Sequence, residues 1–267
     1  MNKYKIIDAH CHIYPDKIAE KAAASTGRFY GIDMNYDGKV STLMTLGESS
    51  GVDHYIVQSV ATKPEQVASI NTFIADAVKA SGGKMTGLGT LHPQSSDIKG
   101  DIEHLLSLGL LGVKLHPDIQ GFKIDDYRCL KIYELCEGKL PLLLHTGDKR
   151  YDMSNPNRLM PILDIYKNLT VIGAHFGGYS VWDDALSLLP KYPNILVDCS
   201  SCFFAMTDDE IKNAISAFGT DRVLFGTDYP MWNPKNEIER LLSLGLAEDD
   251  YEKIFHKNAE RIFGIRI

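Results

Sequence analysis

Short apolar runs and longer amphipathic stretches take turns along the chain, and the pair recurs eight times. The apolar runs fall at residues 5–9, 54–60, 85–91, 112–116, 141–145, 171–175, 194–199 and 222–227. Three of them, HYIVQSV, LPLLLH and NLTVIGAH, are apolar without alternation, which predicts parallel strands covered on both faces. Between the runs, apolar residues three and four apart predict helices near 39–47, 64–80, 97–108, 126–137, 156–166, 182–188, 208–218 and 236–244. The boundaries agree: Asp97 and Asp208 suit N-caps, Pro64 and Pro156 a first helical turn, and Gly109 and Gly219 the position just past a helix.

Eight such units in one series predict an α/β protein with residues 1–267 in a single (β/α)8 TIM barrel. An open doubly wound sheet would have fewer repeats, and no Gly-x-Gly-x-x-Gly follows the first strand. Two connections, 13–38 and 146–155, are long for a compact barrel and are expected to be loops over the active site.

Composition narrows the class further. With 44% hydrophobic and 24% charged residues, the chain is neither disordered nor membrane-embedded in character. The net charge of −7 and the lack of a Lys/Arg run argue against a nucleic-acid partner. No apolar run is long enough to span a bilayer, and Met1-Asn2-Lys3-Tyr4-Lys5 leads into the first strand without a secretory signal pattern. The five cysteines, at 11, 129, 136, 199 and 202, read as reduced thiols of a cytoplasmic protein. Assembly into a homo-oligomer is left open.

Candidate chemistry gathers at strand ends. Asp8-Ala9-His10-Cys11-His12, Gly112-Val113-Lys114-Leu115-His116, Leu144-His145-Thr146-Gly147, Gly173-Ala174-His175-Phe176-Gly177 and Gly226-Thr227-Asp228-Tyr229 each close a predicted strand. In a parallel barrel these ends converge on one face. Side-chain alternation sends His10 and His12 the same way and Cys11 outward. With His145 and Asp228 they make a three-nitrogen, one-oxygen set suited to a divalent metal, zinc foremost, as one or two ions. Each residue alone also fits a hydrogen-bonded rim position; their joint placement favours the metal.

This ordered set resembles the amidohydrolase superfamily, in its amidohydrolase-related branch of barrel hydrolases and decarboxylases. The resemblance runs from Asp8-Ala9-His10-Cys11-His12 to the closing Asn258-Ala259-Glu260-Arg261-Ile262-Phe263-Gly264. It implies that His10, His12 and Asp228 bind metal, with His145 and His175 as the histidines of strands 5 and 6. Asp228 is expected to ligate and act as base, and His175 to ligate a second metal, stabilise an oxyanion or shuttle a proton. Lys114, inward beside His116, has three readings: a carboxylated bridge between two metals, an anchor for a substrate carboxylate, or a structural ion pair. Lys149 and Arg150 are candidates for favouring anionic substrates, and Cys199-Ser200-Ser201-Cys202 reads as packing rather than a redox motif.

The resulting expectation is hydrolysis of a small carboxylate-bearing ester, lactone or amide by metal-activated water. The alternative is non-oxidative decarboxylation, as in relatives of the aminocarboxymuconate-semialdehyde decarboxylase type. The compactness of the chain favours the hydrolase.

Overall fold

In the computed structural model, residues 3–267 are described; Met1 and Asn2, part of the stretch expected to enter the first strand without a signal, lie outside them. Eight strands follow in chain order: β1 (Ile7–His12), β2 (His54–Gln58), β3 (Met85–Gly87 with Gly89–Thr90), β4 (Val113–Leu115), β5 (Leu142–Leu144), β6 (Val171–Gly173), β7 (Ile195–Asp198) and β8 (Val223–Leu224). Each pairs in parallel with the next. At Leu88 the β3 backbone hands over from β2 to β4: Leu88 N donates to Val57 O at 2.9 Å and Gly89 N to Gly112 O at 2.9 Å. The last strand returns to the first through Ala9 N to Phe225 O, 2.9 Å, and His12 N to Tyr229 O, 2.7 Å. The fold is a TIM barrel.

The helices are α1 (Ala19–Tyr30), α2 (Val40–Ser50), α3 (Val67–Ala80), α4 (Ile98–Ser107), α5 (Pro117–Gln120), α6 (Leu130–Cys136), α7 (Pro156–Ile165), α8 (Trp182–Leu188), α9 (Asp208–Phe218), α10 (Pro234–Leu242), α11 (Glu248–Glu252) and α12 (Asn258–Phe263). Asp97 caps α4 by accepting from Gly100 N, as its position predicts. For α9 the cap is Thr207, not Asp208: Thr207 and Glu210 form a reciprocal capping box, which leaves Asp208 in the first turn beside the helix dipole. The segment 13–38 differs most from expectation, because it holds α1 rather than an open loop. Its Ala-rich stretch has strong helix propensity.

Two apolar cores flank the strands. Ile7, Ile56, Leu88, Leu143, Ile172, Leu196 and Leu224 fill the barrel interior, with Ala259 and Phe263 of α12 packed against them. A larger cluster fills the space between strands and helices, and Cys11 belongs to it. All five cysteines are free and buried. Among the described residues, no helix is long and apolar enough to cross a membrane.

Candidate metal centre

Strand β1 aims the first two histidines through an irregularity. Ile7 and Asp8 pair with His54 and Tyr55, but Cys11 and His12 pair with Val57 and Gln58. Ala9 and His10 therefore oppose Ile56 alone, which is a β-bulge. Strict alternation would put His10 on the face opposite Ile7 and Ala9. The extra residue shifts the phase, so Ile7 and Ala9 pack in the barrel core while His10 and His12 both line the cavity above it.

The rings are then fixed by what their outer nitrogens meet. His10 Nδ1 lies 2.9 Å from Asp198 Oδ2, and His175 Nδ1 lies 2.9 Å from Ser200 O. With each outer nitrogen donating, the inner Nε2 keeps its lone pair. His10 Nε2 stands 3.2 Å from His12 Nε2 and 3.4 Å from Asp228 Oδ1, while His175 Nε2 stands 3.1 Å from His145 Nδ1. Acceptors thus face one another across a buried space. Burial holds the pKa of His12, His116 and His145 well below the ordinary imidazole value and lowers that of His175. Neutral imidazoles are the form that binds metal. Burial alone would raise Asp228, but its carboxyl is held below the usual range, with Ser201 Oγ donating to Oδ2 at 2.6 Å. His175, Ser201 and Asp228 all adopt positive φ, of 60°, 50° and 60°. Such conformations cost about 1–3 kcal/mol each and concentrate where geometry serves function.

Of the four residues expected to share one ion, His10, His12 and Asp228 offer ligand atoms within 4.8 Å of one another. His145 stands in the same cavity but falls in a second such group, with His116 and Asp118. Its ring stacks on His116 with centroids 3.9 Å apart and planes 7° from parallel. His145 Nε2 faces Asp118 Oδ2 at 3.6 Å, and neither Nε2 nor Asp118 Oδ1 has a hydrogen-bond partner. A proton on Nε2, directed at Asp118, leaves Nδ1 free beside His175. These donors fit a divalent cation in charge and chemistry: neutral nitrogens and an ionised carboxylate, with carboxylates behind two of the rings.

Lys114 is wholly buried, with Nζ 3.0 Å from His10 Nε2, and desolvation brings its pKa down to about 8. His116 accepts from Ile119 N through Nδ1, so its Nε2 donates to Tyr30 Oη at 2.8 Å. Lys149 and Arg150 do not line the cavity. Asp148 captures the Arg150 guanidinium at 2.6 Å, Phe29 O accepts from it at 2.6 Å, and Phe29, Tyr30 and Tyr151 surround it at 5.0–5.4 Å. Arg150 therefore fastens the end of α1 to the rim. A Cβ on Gly147 would come within 2.6 Å of Gly178, so the loops after β5 and β6 touch backbone to backbone.

Asp198, Asp118, Ser201 and Tyr30 escape the sequence reading. Asp198 had a visible signal, a lone carboxylate ending the run Ile-Leu-Val-Asp. Asp118 stands two residues beyond His116, and Tyr30 closes a helix read as loop. The cavity above these groups measures about 550 Å³.

The chain belongs to the amidohydrolase family, whose model matches residues 7–265. A gamma-resorcylate decarboxylase from Polaromonas sp. is 29% identical over 118 residues, 38% of this chain and 36% of that protein, so the match spans about a third of the relative's length. A TIM-barrel protein from Bordetella bronchiseptica superposes with a TM-score of 0.81 at 23% identity, covering 97% of this chain and 98% of that one. A dihydroxybenzoic acid decarboxylase from Polaromonas sp., solved with bound manganese and 2-nitroresorcinol, superposes with a TM-score of 0.72 at 17% identity, covering 98% and 97%.

Proposed function

We propose that this chain is a divalent-metal-dependent, non-oxidative decarboxylase of aromatic carboxylic acids. The observation that carries the reading is a buried cluster of neutral imidazoles, Asp228 and Lys114 at one end of a cavity whose remaining walls are largely apolar. Loss of CO2 from a carboxylate disperses charge and is favoured where water is excluded, whereas hydrolysis must admit water as reactant. The decarboxylase relatives support the same choice. Compactness, which favours hydrolysis in the sequence, carries no weight once the superposition covers 97% of a decarboxylase chain.

In this reading His10, His12 and Asp228 would hold one ion, and His145 and His175 line the same cavity. A cation held there would supply Lewis-acid chemistry, a hold on a substrate oxygen and a sink for negative charge. Lys114 pairs with an anionic oxygen of the substrate through a charge-assisted hydrogen bond. Asp198 and Ser200 O hold the His10 and His175 rings in place. Asp228 and His175, both unprotonated on their inner side at rest, are the groups placed to take a proton from a substrate hydroxyl or water and pass it to the ring carbon as its bond to the carboxylate breaks. Water restores that proton after CO2 leaves. The donor set suits zinc or manganese.

The test is to load the purified chain with Mn2+ or Zn2+ and offer hydroxylated benzoates beside a panel of lactones, esters and amides. Metal-dependent CO2 release from a benzoate is expected. Acid release from the hydrolysable panel, with none of the benzoates losing CO2, would restore the hydrolase.

A further inference from the structure

The metal-type cluster occupies only the floor of the cavity. At about 550 Å³, the space falls in the range that engulfs a drug-sized ligand rather than a single ring. The surplus lies between two helices. Ile18, Ala22 and Phe29 line it from the side of α1, and Ile70 and Phe73 from α3. These positions are spaced three, four or seven apart, so each set forms one face of its helix. Ser25, Thr26, Gln66 and Ser69 line the cavity within the same stretches, so the walls there are mixed, but from residue 18 to 29 and from 66 to 73 no charged side chain lines it among the described residues. Ile18, at the head of α1, is 51% exposed although it borders the cavity. An apolar residue kept open on a concave wall is what an apolar ligand group requires.

We infer that the substrate is an aromatic acid carrying a second, apolar ring, seated between α1 and α3 while its carboxylate end lies at Lys114 and the histidines. The inference rests on the decarboxylase reading for its carboxylate, but the arm is a property of the walls alone. The apolar lining favours a fused or attached hydrocarbon ring over a second charged group, because no counter-charge faces it.

The metal-loaded enzyme is tested with 2-hydroxybenzoate and 1-hydroxy-2-naphthoate, which share a head and differ by one fused ring. Calorimetry reads binding, and CO2 release is followed separately. The naphthoate is expected to bind at least about tenfold more tightly, the worth of a few buried methylene-sized groups. Ala22→Trp, which fills the arm, should lower the naphthoate-to-benzoate ratio of affinities by about tenfold, and Ile18→Trp, at an exposed position, should lower it in the same direction. Equal affinity for the two acids, or a ratio unmoved in both variants, overturns the arm. Tight, Ala22→Trp-sensitive naphthoate binding without CO2 from either acid supports the arm and overturns the decarboxylase. CO2 from the benzoate with no binding of the naphthoate does the reverse.

Discussion

Lys114 Nζ and His10 Nε2 share a hydrogen bond of 3.0 Å, in which the ammonium takes up the lone pair that a metal ligand must offer. Lysine and cation therefore compete for one nitrogen. If Lys114 anchors substrate, Lys114→Met should retain at least the wild-type metal content, since a nearby positive charge has gone. Its kcat/KM for carboxylates should fall about tenfold to a hundredfold, the scale of one lost charge-assisted bond. Metal analysis beside kinetics decides it: a loss of metal in Lys114→Met would instead favour a carboxylated bridge.

Two carboxylates stand behind two imidazoles. Asp198 holds His10 at 2.9 Å, and Asp118 faces His145 at 3.6 Å. Outer partners of this kind typically contribute about 10–100-fold in metal affinity. Asp198→Asn should weaken metal binding by that amount without unfolding the barrel. Asp118→Asn should do so less, because its contact is longer. Competition with a chelating dye measures both, and wild-type affinity in Asp198→Asn would exclude the role.

Glu237, on α10, is only 7% exposed, and burial pushes its carboxyl up to about 8, with Asp8 and Asp228 acting in the same direction. The unfolded chain releases this proton near pH 4.3, so between roughly that value and pH 8 the folded state binds more protons than the unfolded. Stability from this group is complete at low pH and is lost as pH rises through about 8. Glu237→Gln should melt higher than wild type at pH 8–9, by about 1–3 kcal/mol, the cost of a poorly compensated buried polar group. The difference should vanish near pH 4. A melting gap that stays constant across this range would refute the assignment.

Arg150 fastens α1 to the rim through Asp148, the Phe29 carbonyl and three aromatic rings. Each cation–π contact is worth about 0.5–1 kcal/mol at a partly exposed site. Arg150→Ala should free the end of α1 and raise KM several-fold while kcat changes little. Arg150→Lys, which keeps the charge but not the planar stack, should fall between. Steady-state kinetics on both variants provides the check, and an unchanged KM in Arg150→Ala would remove the fastening role.

The barrel was legible because parallel strands buried on both faces read as uninterrupted apolar runs, as in Leu142–Leu144 and Val171–Gly173. The site residues at those strand ends were legible for the same reason, since His145 follows its run directly and His175 stands one residue beyond its own. What stayed hidden depends on three dimensions. Nothing local says that Asp198 reaches the ring of His10, 188 residues away in the chain. Helix α1 was obscured by its position, where a long connection after the first strand reads as loop although its alanines favour helix. The partner of Arg150 was obscured by proximity: Asp148, two residues earlier, takes a guanidinium that charge alone would send to the cavity.

The bulge at Ala9 and His10 gives β1 two phases, one serving the barrel core and one serving the site. A substitution within it changes one side chain. Removing a single residue would restore strict alternation and delete the second of the two inward positions that Ala9 and His10 now fill, while an added residue would turn Ile7 and the His10 and His12 pair to opposite faces. The segment should therefore accept replacement far more readily than a change of length. Among divergent relatives, gaps are expected to accumulate after Ile13 and to stop short of Asp8-Ala9-His10-Cys11-His12.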